Sequence, residues 1–181
     1  MMYRFVIATL LAAILAGCAT LNEDQCNTTD WYTLGNADGA SGKSVNTINA
    51  HAEACVEYGI TPDREAWRSG WDLGIRQYCT PSNGVEKGRS GRFNSNSCPV
   101  ELSANFNEGY RLGRNVYDAK QAQASLKREI DDDIVAISEA KGKDRVRLQL
   151  QLEIKRNRQF ELQNRINDAE RAVDRFLYSR F

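Results

Sequence analysis

The chain has 181 residues, with 24 Lys and Arg against 24 Asp and Glu, one histidine and 41% hydrophobic residues. That balance leaves no electrostatic footprint for nucleic acid, and the length fits one compact domain with an appendage. Three prolines and little β-branched alternation favour helices over sheets.

The first segment reads as an export leader. Arg4 supplies the positive charge, residues 5–15 (FVIATLLAAIL) form an apolar run, and Ala16-Gly17 are small residues before Cys18. Such a run is too short to span a bilayer stably. A cysteine directly after Leu15, Ala16 and Gly17 has the form of a lipoprotein processing site: those three residues are recognised by the peptidase, and Cys18 receives the acyl chains. Each buried CH₂ adds about 0.8 kcal/mol, so two or three chains hold a protein firmly on a membrane. Ala19, not Asp, follows the cysteine. By resemblance to Gram-negative lipoproteins, this points to the outer membrane, with the protein facing the periplasm. Cleavage after residue 17 removes Arg4 alone among the charges, and residues 18–25 are expected to form a lipidated tether.

Residues 26–114 form the expected core. Apart from Cys18, the cysteines are Cys26, Cys55, Cys79 and Cys98. An even set in an oxidising compartment, with no CxxC pair, reads as disulfides and not as a metal site. Four cysteines allow three connectivities. If residues 28–42 and 45–57 are antiparallel helices, Cys26 comes near Cys55. Cys79 and Cys98 bracket a Gly/Ser/Asn-rich excursion that a bridge would close. Asp30 is the expected cap of the first helix; Thr61-Pro62-Asp63 reads as a cap and first-turn proline for another. Residues 80–99 read mostly as loop. A further helix is expected to start at Glu101 or Ser103.

A glycine pattern recurs through this core. Tyr32-x-x-Gly35-x-x-x-Gly39 is echoed by Trp67-x-x-Gly70-x-x-x-Gly74 and Phe106-x-x-Gly109-x-x-x-Gly113, with Gly84-x-x-x-Gly88 as a degenerate copy. Glycine costs up to about 1 kcal/mol in a helix relative to alanine, so pairs at this spacing need a reason. Residues four apart share a helix face. The pairs therefore make flat grooves for close helix crossings, or, with Trp31, Tyr32, Asp38, Trp67, Trp71, Asp72 and Tyr110, they line a ligand cleft.

From residue 115 to 181 the sequence has no proline, no cysteine and one glycine, Gly142. Val116, Ala119, Gln123, Leu126, Ile130, Ile134 and Ile137 recur at steps of three and four. After a break at residues 140–144, Leu148, Leu152, Leu162, Ile166, Ala169, Val173 and Phe176 continue the seam, interrupted by Lys155 and Gln159. Heptad-like spacing with charged flanks predicts an antiparallel coiled-coil hairpin, and the pattern alone does not declare whether pairing is within one chain or between copies. Asp131-Asp132-Asp133 point in different directions on a helix, so they read as a solvated face and not as an ion site.

The sequence carries no recognisable catalytic signature. His51 is the sole histidine, expected in mid-helix, partly buried or at the surface. No GxSxG elbow, HExxH helix or Walker loop occurs, and no cofactor or metal is expected.

Leu15-Ala16-Gly17-Cys18, then Cys26-Asn27-Thr28-Thr29-Asp30-Trp31 and Gly35-x-x-Asp38-Gly39-x-x-Gly42, followed by Tyr78-Cys79-Thr80-Pro81, Cys98-Pro99 and Phe106-x-x-Gly109-Tyr110-x-x-Gly113-Arg114, resemble the lipoproteins grouped as domain of unknown function 2799. The resemblance runs from Cys18 to about Ala140. It implies an exported bacterial lipoprotein and assigns no activity or catalytic residue.

The expected fold is all-α: a small disulfide-tied, glycine-rich helical core followed by a long antiparallel hairpin. The expected role is that of a non-catalytic structural or adaptor protein, held on the membrane by lipid, meeting an envelope protein or the cell wall, and able to self-associate through the hairpin. The alternative is a ligand-binding module or small hydrolase acting on envelope polymers.

Overall fold

The computed structural model describes residues 20–179. Leader residues 1–17 and Cys18 lie outside these. Among the described residues there are seven helices and no strand: α1 (Glu23–Thr28), α2 (Trp31–Ala40), α3 (Thr47–Val56), α4 (Arg64–Tyr78), α5 (Pro81–Arg89), α6 (Val100–Glu139) and α7 (Gly142–Tyr178). The chain divides into two compact units between Tyr78 and Cys79.

In the first unit, local chemistry sets the helix starts. Asn22 caps α1 by accepting from the Gln25 amide, and the Gln25 side chain accepts from the Asn22 amide, a reciprocal capping box. Asp30 caps α2, accepting from the Thr33 amide at 2.6 Å. For α4 the capping carboxylate is Asp63, which accepts from the Ala66 amide at 2.9 Å. Thr61 and Pro62 therefore precede the helix, and the cap falls two residues later than the expected Thr61. The nominal tether is also part of the fold: Leu21 is buried against the Cys26–Cys55 bridge, and Cys26 lies within α1.

Helices α2 and α4 cross at their glycines. A Cβ on Gly35 would fall on the Trp67 carbonyl, and one on Gly39 on the Trp71 carbonyl. Reciprocally, Gly70 abuts the Tyr32 carbonyl and Gly74 the Asn36 carbonyl. Each backbone thus lies in the other's groove, an approach no side chain permits. Trp67 and Trp71 are buried, with ring centroids 6.4 Å apart. Cys26 and Cys55 join α1 to the last turn of α3 with a Cα separation of 5.6 Å, within the usual range for a bridge.

The second unit repeats the device. Gly84 and Gly88 on α5 abut the Phe106 and Tyr110 carbonyls, while Gly109 and Gly113 on α6 abut those of Pro81 and Val85. Helix α5 corrects the expectation of a loop over 80–99. Thr80 caps it, accepting from the Asn83 amide at 3.2 Å, and Pro81 occupies its first turn. Glycines that read as turn residues are contact residues here. Only 90–99 is irregular, closed by Cys79–Cys98 at a Cα separation of 5.7 Å. Both disulfides have the expected pairing.

Helix α6 begins at Val100 and continues unbroken for 40 residues, through the boundary expected at 114/115. The core's last crossing helix and the hairpin's first arm are one element. Helix α7 returns antiparallel to it for 37 residues. Lys120 bonds Glu170, Gln123 bonds Gln163 and Lys155 bonds Asp133, so residue numbers rise on one helix as they fall on the other. Near the base, Leu112, Val116 and Val173 cluster with Val85 of α5; further along, Leu126, Ile130, Leu152 and Leu162 form a second cluster. Ile166 and Ala119 are buried as expected, but Ile134 is 48% exposed. Lys155 does not break the seam, because Asp133 and Glu129 bind it across the hairpin. Asp131 and Asp132 are exposed.

Candidate functional site

The first unit encloses a polar cluster centred on Asp38, which sits in the last turns of α2. Asp38 and His51 are each only 2% exposed. His51, in the middle of α3, donates from Nε2 to Asp38 Oδ2 at 2.8 Å. Trp67, in the first turn of α4, donates its indole N–H to the same oxygen at 3.1 Å. Lys43, in the loop after α2, binds Oδ1 at 2.7 Å, with its side chain half in solvent. Two helices and a loop thus converge on one carboxylate. The Lys43 carbonyl is tied down in turn by the Trp71 indole N–H at 2.9 Å.

The cluster reaches the start of the chain. His51 Nδ1 lies 2.9 Å from Thr20 Oγ1. The Thr20 hydroxyl is also 3.1 Å from the Ala50 carbonyl, to which it donates. Burial works hardest on the Asp38 carboxyl, disfavouring its charge, but the hydrogen bonds from His51, Lys43 and Trp67 and the Lys43 charge together outweigh it. They hold the carboxyl below the ordinary carboxylate range. A buried charge is tolerable only when paired and hydrogen-bonded, and each Asp38 oxygen meets that condition.

The aromatic and acidic residues named for a ligand cleft do not assemble as one site. Trp67 and Trp71 are interior. Trp31 packs on the Cys26–Cys55 cluster, and Tyr32 is 44% exposed. Asp72 lies at the surface, paired with Arg68 one turn away at 3.0 Å. Tyr110 belongs to the second unit, where its hydroxyl donates to the Arg92 carbonyl at 2.8 Å. Asp38 and Asp72, equivalent in the glycine pattern, thus have opposite surroundings. Spacing did not reveal Thr20, Lys43 or the part played by His51: these residues are brought together only by tertiary packing. Among the described residues, no group of three or more His, Cys, Asp or Glu side chains is placed to hold a metal ion, and no helix is long and apolar enough to cross a membrane.

Two glycine-paired helix crossings, each in a unit that holds one disulfide, define a class of small helical domain. Residues 30–115, which contain both crossings, match the model of the family described as "Protein of unknown function (DUF2799)". The chain is also 28% identical over 117 residues to the uncharacterized protein YfiL of Escherichia coli (strain K12), covering 62% of this chain and 91% of that protein. No solved structure matches it. The family match takes in Asp38, His51, Lys43 and Trp67 and ends within α6.

Proposed function

We propose that this chain is a lipid-anchored envelope protein of the outer membrane, non-catalytic, whose α6–α7 hairpin packs as an antiparallel coiled coil and offers a surface to another envelope component. The observation that carries this reading is the hairpin's distal half. There Val135, Val146, Leu150, Ile154 and Phe160 are all at least 60% exposed, on arms of about 60 Å at 1.5 Å per residue. Scattered apolar side chains are ordinary on a surface, but several on one element mark an interaction region. The Asp38 cluster has a structural part in this reading. It fixes the segment at Thr20, two residues beyond Cys18, to the first unit.

The test has two arms. Radiolabelled palmitate should enter the wild-type chain in cells and not the Cys18→Ser variant; an unlabelled wild type sinks the anchor. A photocrosslinking residue at position 154 should trap a neighbour that the same residue at position 68 of α4 does not. Identical neighbours at both positions would remove the adaptor role.

The second reading, a small hydrolase, draws on one observation: Asp38, His51 and Thr20 are hydrogen-bonded in the order of a charge-stabilised base and a hydroxyl nucleophile. Against it, the Thr20 hydroxyl already donates to the Ala50 carbonyl, and Lys43 and Trp67 share the Asp38 carboxylate. A fluorophosphonate probe that labels the wild type but not Thr20→Val would favour the hydrolase.

A further inference from the structure

One face of the hairpin near its turn carries an open groove of about 450 Å³, lined by Ile137 of α6 and by Val146, Leu150, Leu152, Glu153 and Arg156 of α7. Phe160, 69% exposed, follows Arg156 by four residues and so prolongs the same side of the helix. Ile134, 48% exposed, lies about one helical turn before Ile137 on α6. The groove is concave and apolar at its floor, the form that receives a ridge of helix side chains.

Charge at this tip is divided between the two helices. Residues 141–158 contain seven basic and two acidic side chains, and residues 127–139 contain two basic and five acidic. Some of this charge is used within the hairpin, where Lys155 meets Asp133 and Glu129. Among the described residues, Asp131, Asp132 and Arg158 have no salt-bridge partner, and Arg156 pairs only with Glu153 of its own helix. A surface carrying both signs at one level is poorly matched to an anionic bilayer, which would repel Asp131, Asp132 and Glu139. It is matched to itself.

We infer that a second copy of this chain covers the groove, the two hairpins lying face to face with their tips level. This goes beyond the adaptor reading and does not depend on the lipid anchor. A twofold axis along the hairpin sets the basic half of α7 over the acidic half of α6 in the other copy, and does so twice. With the tips opposed, the tip of each hairpin would meet the base of the other and this pairing would be lost. The bridge from Lys155 to Asp133 and Glu129 shows that Arg156 and Asp131 stand at the same level. In the dimer, Arg156 of one copy therefore approaches Asp131 of the other. The opposite face, with Ile154, is left for a different partner.

The experiment is sedimentation of the purified full chain in density-matched detergent, at low and at high salt. The wild type is expected to sediment as a dimer that salt weakens. Phe160→Glu should raise the dimer dissociation constant about tenfold or more, as loss of a buried aromatic anchor does. Ile154→Glu, the same change on the other face, should alter it by less than about threefold, the scale of a residue outside the contact. Arg156→Glu should weaken the dimer, and adding Asp131→Arg should restore it. A monomeric wild type overturns the inference, as does a dimer insensitive to Phe160→Glu. Photocrosslinking at position 154 reports on the adaptor reading separately. A monomer that still traps a neighbour there overturns the dimer alone, and a dimer that traps none overturns the adaptor alone.

Discussion

In the first unit, Gly35, Gly39 and Gly42 meet Trp67, Gly70, Gly74 and Tyr78. In the second, Gly84, Gly88 and Gly91 meet Phe106, Gly109, Gly113 and Tyr117, at the same spacing. Gly42 and Gly91 both have positive φ, and a Cβ on either would strike the ring of Tyr78 or Tyr117. The side chains beside the two crossings differ in a coordinated way. Asp38 precedes Gly39, where Lys87 precedes Gly88. Trp67 stands three residues before Gly70, where Phe106 stands three before Gly109. The second unit thus lacks both the carboxylate and the indole N–H that needs it. The crossing is made by backbone proximity in both units and does not need the polar cluster. That cluster serves what the second unit lacks: α3 and the strap at Thr20.

The sharpest break in the comparison is Asp38→Ala against Lys87→Ala. Removing one partner of a buried charged cluster strands the others, so Asp38→Ala should cost about 3–5 kcal/mol. Lys87→Ala, at the matching place in the second unit, should cost less than about 1 kcal/mol. Denaturant titration read by tryptophan fluorescence reports on the first unit, which holds all three tryptophans. Circular dichroism at 222 nm reports on both units. Equal effects of the two substitutions would contradict the division of labour.

Next in size are the disulfides. Replacing Cys26 and Cys55 by serine should cost about 3–4 kcal/mol, and replacing Cys79 and Cys98 about 3 kcal/mol, in the chain-entropy account. The first bridge spans 29 residues and the second 19, so the order of the two losses is itself a check. Gly70→Ala and Gly113→Ala should then each cost about 1–3 kcal/mol, with near equality between units, because each methyl meets a carbonyl of the facing helix. A neutral Gly113→Ala would mean that α5 can move away and that the second crossing is looser than the first.

The smallest effect is a pH dependence confined to the first unit. Asp38 titrates below its ordinary value in the folded chain, so its contribution to stability is fully present above the unfolded carboxylate value of about 3.9. It is lost as pH falls through the lower folded value. Asp38→Asn should flatten the acid limb of tryptophan-detected unfolding; an unchanged limb would show that Asp38 does not supply it.

Much of this fold was legible in the chain. The first bridge follows from residues 28–42 and 45–57 as antiparallel helices, the second from the Gly/Ser/Asn-rich excursion that Cys79 and Cys98 bracket, and the hairpin from steps of three and four. The loop expected at 80–99 is a helix over 81–89 because the Gly, Ser, Asn and Pro content resembles turn chemistry, although Gly84 and Gly88 already echo the glycine pattern. With Gly91, their spacing repeats that of Gly35, Gly39 and Gly42, and this was the signal for a second crossing. The site was less legible. Asp38 and His51 lie thirteen residues apart on different helices, and Thr20 is 31 residues before His51. No periodicity links residues that only tertiary packing joins.

Thr20 also fixes a length. An extended residue spans at most about 3.6 Å, so a chain acylated at Cys18 and clasped at Thr20 has a leash of only about 7 Å. A lipoprotein moored so closely cannot sweep through the periplasm on a long linker. Its first unit would ride at the headgroups with one side always turned to them.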